Sequence, residues 1–208
     1  MLENVEFLGH AAFKVKGSKV VVIDPYQLER EETADIILIT HSHFDHCSPD
    51  DVKKVSGEKT TIVASNDCAD QLNGLAGRFI GLAPGQKADV QGVCVEAVPA
   101  YNINKTFHPR VNNWNGYLFT LDGVRYYHPG DTDKIPEMQS IKADVVFLPV
   151  GGTYTMDSRE AAEVVSIIKP KAAVPMHYGT VIGSDKDARA FVGLVGERGM
   201  LLSPKKLS

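Results

Sequence analysis

Three imidazoles and a carboxylate fall within the six residues His41-Ser42-His43-Phe44-Asp45-His46, one residue past the apolar run Ile36-Ile37-Leu38-Ile39. A short, wholly apolar run of this kind is a buried strand, so whatever follows it is delivered to the edge of a core. Placing such a cluster there is costly unless something neutralises the carboxylate and occupies the ring nitrogens, as a divalent cation does. The chain must therefore fold so that a strand-end loop can serve as a metal site.

The spacing says more. His41 and His43 are two residues apart, so in an extended segment both rings project to one side and can share an ion. Asp45 and His46 are adjacent and available to a second ion. A zincin instead places two histidines four apart on a helix with a glutamate between them. Just beyond His46, Ser48-Pro49-Asp50-Asp51 supplies an N-cap, a proline suited to the first helical position and acids for the first turn. The cluster is thus expected in a strand-to-helix loop that holds one or two ions.

Runs of Val and Ile bounded by Gly, Pro and Asp predict strands over 4–8, 11–15, 19–23, 35–40 and 60–64, and a helix is expected over 66–75. Gln91-Gly92 and Asp122-Gly123 mark hairpins. Between them, residues 99–113 lack periodicity over a stretch long enough to be a functional loop. A strand over 144–149 precedes a helix capped by Asp157, with Glu160 three residues on and Pro170 as its stop. Residues 171–176 form a strand that delivers His177 to its end; a helix over 185–195 and a strand over 200–202 follow.

With 208 residues, 43% hydrophobic and 23% charged, the chain suits one domain over 1–208 with a substantial core. The net charge of −4 and the scatter of basic residues, with Lys205-Lys206 as a pair in the tail, do not favour nucleic-acid binding. Cys47, Cys68 and Cys94 match neither a disulfide framework nor a Cys-x-x-Cys motif, which suits a reducing cytoplasm. The acidic N-terminus and the lack of a run of roughly 18 apolar residues predict a soluble, unexported protein with no stable membrane insertion.

Two later segments also end strands in metal-ligand types: Tyr127-His128-Pro129-Gly130-Asp131-Thr132 and Pro175-Met176-His177-Tyr178-Gly179. Together with the His41 to His46 loop, they make the chain resemble the metallo-β-lactamase superfamily over essentially its whole length. Phe7-Leu8-Gly9-His10-Ala11 and Ile23-Asp24-Pro25 narrow the resemblance to its compact branch of metal-dependent hydrolases, related to ascorbate-phosphate lactonase and N-acylphosphatidylethanolamine phospholipase D. The resemblance implies an α/β fold, a four-layer αββα sandwich. It also implies a mono- or dinuclear centre in which His41 and His43 hold one ion, Asp45, His46 and His177 hold the other, and Asp131 bridges.

The branch usually supplies a further histidine after the strand corresponding to 93–98. Here the chain reads Val98-Pro99-Ala100-Tyr101-Asn102, which leaves His108, Tyr101 or water for that place. The donors are nitrogen and oxygen without thiolate, which suits zinc and is compatible with manganese, iron or nickel. Metal-bound hydroxide attacking a small ester, lactone or phosphodiester is the expected chemistry. Asp45 is then the residue that orients the nucleophile, and His10, Tyr154 and Tyr178 are candidate partners of a small-molecule substrate. His10 equally suits a buried structural hydrogen bond, and His128 a buttress beneath the site. The rival reading is a metal-binding sensor or scaffold of the same fold that catalyses nothing. Neither the substrate nor the oligomeric state is legible in the sequence.

Overall fold

The computed structural model describes residues 2–29 and 33–204, so the Lys205-Lys206 pair lies outside the described residues. Layering follows from strand alternation. In the strand Ile36–Ile39, Ile36 and Leu38 join one apolar cluster while Ile37 and Ile39 join another, so this strand is covered on both faces. That is why it reads as a continuous apolar run.

Among the described residues twelve strands form two six-stranded sheets. The first runs β1 (Val5–Gly9), β2 (Ala12–Lys16), β3 (Val20–Ile23), β4 (Ile36–Ile39), β5 (Thr61–Ser65) and β6 (Arg78–Leu82) in sequence order. Its pairing is antiparallel up to β3 and parallel from there on. The second is built of β7 (Lys87–Val90), β8 (Val93–Pro99), β9 (Asn115–Leu121), β10 (Val124–His128), β11 (Val145–Pro149) and β12 (Ala172–Met176). There β7 to β10 are antiparallel and β10 to β12 parallel.

Helices α1 (Pro49–Val55) and α2 (Ala69–Leu72) pack Val52, Val55 and Leu72 onto Ile37, Ile39 and Ile62 of the first sheet. Helices α3 (Ser158–Ile168) and α4 (Asp185–Val195) bury Ala161, Val164, Val165 and Phe191 with the second sheet. The result is the expected four-layer αββα sandwich. The sheets meet face to face, with Phe13 of β2 and Phe147 of β11 stacked at 4.1 Å between ring centroids.

Strand direction then places the loops. β1, β3, β4, β8, β10, β11 and β12 all run the same way within their sheets, so their C-terminal ends share one edge, the edge where open α/β sheets bind ligands. Among the bonds that tie the sheets together at that edge, Tyr117 Oη donates to the Ile39 carbonyl at 3.0 Å, and the Asn115 amide donates to the Thr40 carbonyl at 3.1 Å.

The capping box of α3 is present. Asp157 Oδ1 accepts from the Arg159 and Glu160 amides at 2.9 Å each, and the Glu160 carboxylate accepts from the Asp157 amide at 3.1 Å. Replacing Asp157 with Ala is expected to cost about 0.5–2 kcal/mol. In a thermal melt that is a fall of about 2–4 °C per kcal/mol for a chain of this size.

Two expectations are corrected. The helix predicted over 66–75 is a 3-10 turn, Asn66–Cys68, followed by a single α-turn that stops at Leu72, because Asn73 is extended and Gly74 takes φ +90°. The strand predicted over 200–202 is reduced to one bridge between Ala173 and Gly199, beyond which Pro204 has no amide to donate. The sequence reading also missed β6 and the 3-10 helix Pro136–Ser140.

Candidate metal centre

The ligand candidates enter from the ends of several strands. His41, His43, Asp45 and His46 follow β4, Asp131 follows β10 and His177 follows β12, while His10 turns between β1 and β2. His108 arrives from the loop after β8. All of these except His43, which is half-buried, are 6% exposed or less. Gly130 lets Asp131 in: it adopts φ +65°, and a Cβ there would meet the Asn115 carbonyl at 2.8 Å and Thr40 Cβ at 3.0 Å.

The donor atoms gather into three overlapping groups: His41, His43 and His108; His41, His46 and Asp131; and His10, Asp45, His46 and His177. Within each, the ligating atoms lie within 4.8 Å of one another. Asp131 stands at the junction. Its Oδ1 is 3.2 Å from His46 Nε2, and its Oδ2 is 3.2 Å from His108 Nε2 and 3.0 Å from His177 Nε2.

Those atoms test whether a cation fits. His46 Nε2, His108 Nε2, His177 Nε2 and Asp131 Oδ1 are buried with no hydrogen-bond partner among the described residues. Buried polar atoms are almost always partnered, and four converging orphans of ligand type are the arrangement a cation satisfies.

The far sides of the His41, His46 and His108 rings are occupied, which fixes their tautomers. His46 Nδ1 donates to Asp24 Oδ2 at 2.7 Å, His41 Nδ1 meets Thr40 Oγ1 at 3.0 Å, and Thr40 itself donates to Asp24 from Oγ1 and from its amide at 2.7 and 2.8 Å. His108 Nδ1 faces Asn102 Oδ1 at 3.1 Å and the Tyr154 carbonyl at 3.2 Å. Each arrangement leaves Nε2 as the lone pair turned inward.

Electrostatics agree with ligand-ready forms. Burial holds His41 well below its ordinary value and hence neutral. Burial opposes ionisation of Asp131, yet the His177 and His46 rings hold its carboxyl well below the usual carboxylate range. Asp45 is also buried, and the hydrogen bond from His10 brings it down to about 2. His46 is raised well above its ordinary value against the effect of burial, by the charges of Asp131 and Asp24. A cation beside Nε2 would take the place of that extra proton.

Of the candidate catalytic residues, His10 joins the cluster through its Nε2, 2.9 Å from Asp45 Oδ2, with its ring 4.2 Å from that of His177. Tyr178 is placed differently. Its ring packs on Phe7 at 5.7 Å, and burial with nearby Asp185 pushes its hydroxyl up to about 12. It lines a 290 Å³ cavity together with His10, Tyr26 and Thr180. Tyr101 does not complete the first group, because its hydroxyl donates to Glu137 at 2.8 Å. His128 is a buttress, donating to the Ala11 carbonyl at 2.9 Å and accepting from the Gly130 amide at 3.2 Å.

Sequence reasoning missed Asn102, Asp133, Asp24 as a support, and Trp114, whose ring lies 4.7–5.5 Å from those of His41, His43 and His108. The only local signal was the position of Asp24 at the end of a strand.

Two mixed sheets between helices, with a buried His and Asp cluster at the strand ends, define a metallo-hydrolase fold of the β-lactamase superfamily. The family model for the beta-lactamase superfamily domain matches residues 4–177, and the chain belongs to that family. More narrowly, it is 38% identical to a UPF0173 metal-dependent hydrolase of Thermococcus onnurineus (strain NA1) over 98% of both chains. Its fold is similar to that of a candidate metal-dependent hydrolase from Parabacteroides distasonis, with a TM-score of 0.82 at 32% identity over 96% of this chain and 90% of that one. It is also similar to Igni18, a metallo hydrolase from Ignicoccus hospitalis, with a TM-score of 0.72 at 26% identity over 94% and 95%. The chain is thus a metal-dependent hydrolase by family. No helix among the described residues is long and apolar enough to cross a membrane.

Proposed function

We propose that the protein hydrolyses a small ester, lactone or phosphodiester at a dinuclear centre. In this reading His41, His43 and His108 would hold one ion, Asp45, His46 and His177 would hold the other, and Asp131 would serve both. The observation that carries it is the convergence of orphaned Nε2 atoms on Asp131, whose two oxygens face different histidines. Zinc suits the nitrogen and oxygen donors, as do manganese, iron and nickel. Ions held there would supply Lewis acidity, making an attacking water more acidic and polarising the bond under attack.

The chain's own groups do the rest. His10 donates from Nε2 to Asp45 Oδ2 and fixes that carboxylate. Asp45, kept ionised by the hydrogen bond from His10, orients the attacking water. Burial of the ligands keeps bulk water from competing. The binding-only reading rested on a missing third ligand to the first ion, and the inward Nε2 of His108 supports the hydrolase reading over it. The cysteines, free in the structure, support a reducing cytoplasm as the setting.

The test is hydrolysis of generic ester and phosphodiester reporters by purified protein before chelation, after it, and after ion re-addition. Turnover should vanish and return, and Asp45→Asn should abolish it. Turnover that survives chelation, or persists unchanged in Asp45→Asn, rejects the mechanism.

A further inference from the structure

Six residues of the loop after β8, Asn102 to Phe107, precede His108, and they are closed into a ring by two buried side chains. Asn102, 7% exposed, sits at its centre. Its amide donates to the His108 carbonyl at 2.7 Å, and its Oδ1 accepts from the His108 amide at 3.0 Å. Its Nδ2 donates to Asp133 Oδ1 at 3.1 Å and to the Tyr154 carbonyl at 2.9 Å. Asp133, 4% exposed, also accepts from the Ile103 amide at 2.8 Å and from Lys105 Nζ, while its own amide donates to the Tyr101 carbonyl at 3.0 Å.

The orientation of the Asn102 amide is set by its partners. A backbone N–H only donates, so the group facing the His108 amide is the oxygen, and the group facing the Asp133 carboxylate is the NH₂. That oxygen also faces His108 Nδ1, which must therefore carry the proton. His108 Nε2 is left as a lone pair, 3.2 Å from Asp131 Oδ2, in the form and direction a ligand needs.

We infer that Asn102 and Asp133 are the positioning residues of His108. The first ion subsite is then assembled by this loop clamp, whereas the second is built from strand ends and does not depend on it. The inference rests on the reading of His41, His43 and His108 as one ion's ligands. Neither residue touches the ion. Asn102 sets the tautomer and aim of the ring, and Asp133 holds Asn102 and the start of the loop against the segment that carries Asp131.

Trp114, the sole tryptophan of the sequence, reports on this subsite, because its ring contacts those of His41, His43 and His108. Chelator-stripped protein is titrated with cobalt(II), with Trp114 fluorescence and bound ions per chain followed together. The wild type should show a saturable fluorescence change. In Asn102→Leu its midpoint should move to about 10–100-fold higher cobalt, the usual cost of losing a ligand's outer partner. One ion should still bind with wild-type affinity, as in His108→Ala. Asp133→Asn, an isosteric change, carries the test should Asn102→Leu fail to fold, and should shift the same midpoint. Wild-type midpoints in the folded variants overturn the clamp. A shift of both ions together also overturns it, since that reports a general loosening of the site. A wild type that binds no ion removes the underlying reading and the clamp with it.

Discussion

On the proposed dinuclear reading, Asp131→Asn is expected to lose both ions and, with them, more than about 100-fold in hydrolysis, beyond the 10–100-fold that an outer-shell change costs. The reason is its position. One oxygen lies 3.2 Å from His46, and the other lies 3.2 Å from His108 and 3.0 Å from His177, so a single side chain touches rings from both subsites. The substitution keeps shape and volume but removes the charge that offsets the cations and replaces one acceptor with a donor, which points N–H groups at the ions. Elemental analysis of the purified variant, beside a reporter assay, checks this. Retention of one full ion per chain would mean that Asp131 serves one subsite and does not bridge.

The second large effect is on stability. Phe147→Ala should lower the unfolding free energy by about 3–5 kcal/mol, the range for deleting a buried aromatic. Phe147 is 0% exposed and stacks on Phe13 of the opposite sheet at 4.1 Å, and its ring also lies within 6.1 Å of His128, the buttress under Gly130. The cavity would open between the sheets, where neither layer can close without shifting strands whose register is hydrogen bonded. Against a total of about 5–15 kcal/mol for a typical protein, that is a large share. Urea unfolding measures it, with Phe44→Ala as the control. Phe44 is 66% exposed and its loss should stay within about 0.5 kcal/mol. Equal effects in the two variants would contradict the packing argument.

Local pattern carried a large part of the architecture. The alternation in β4, the turns at Gln91-Gly92 and Asp122-Gly123, and the Asp157 to Glu160 capping box are each set by neighbours within a few residues, so they could be read directly. Where a local signal was weak, the reading failed. α2 is one turn long, and the tail after Gly199 makes a single bridge because tertiary contacts, not propensity, hold those segments.

The candidate site divides along the same line. Residue types and strand-end placement alone determined that His41, His43, Asp45 and His46 form a ligand-rich loop, because that density in six residues has few other uses. The resemblance added Asp131 and His177. Only the tertiary structure decided which ring nitrogen of His46 and His108 turns inward: Asp24 is 22 residues from His46, and Asn102, six residues from His108, is itself held by Asp133, 31 residues from it. It also decided that His108, and not Tyr101, reaches Asp131. A strand end can be read from hydrophobic periodicity, but the path of an aperiodic loop is set by hydrogen bonds to other strands, and their pairing is written in no local spacing.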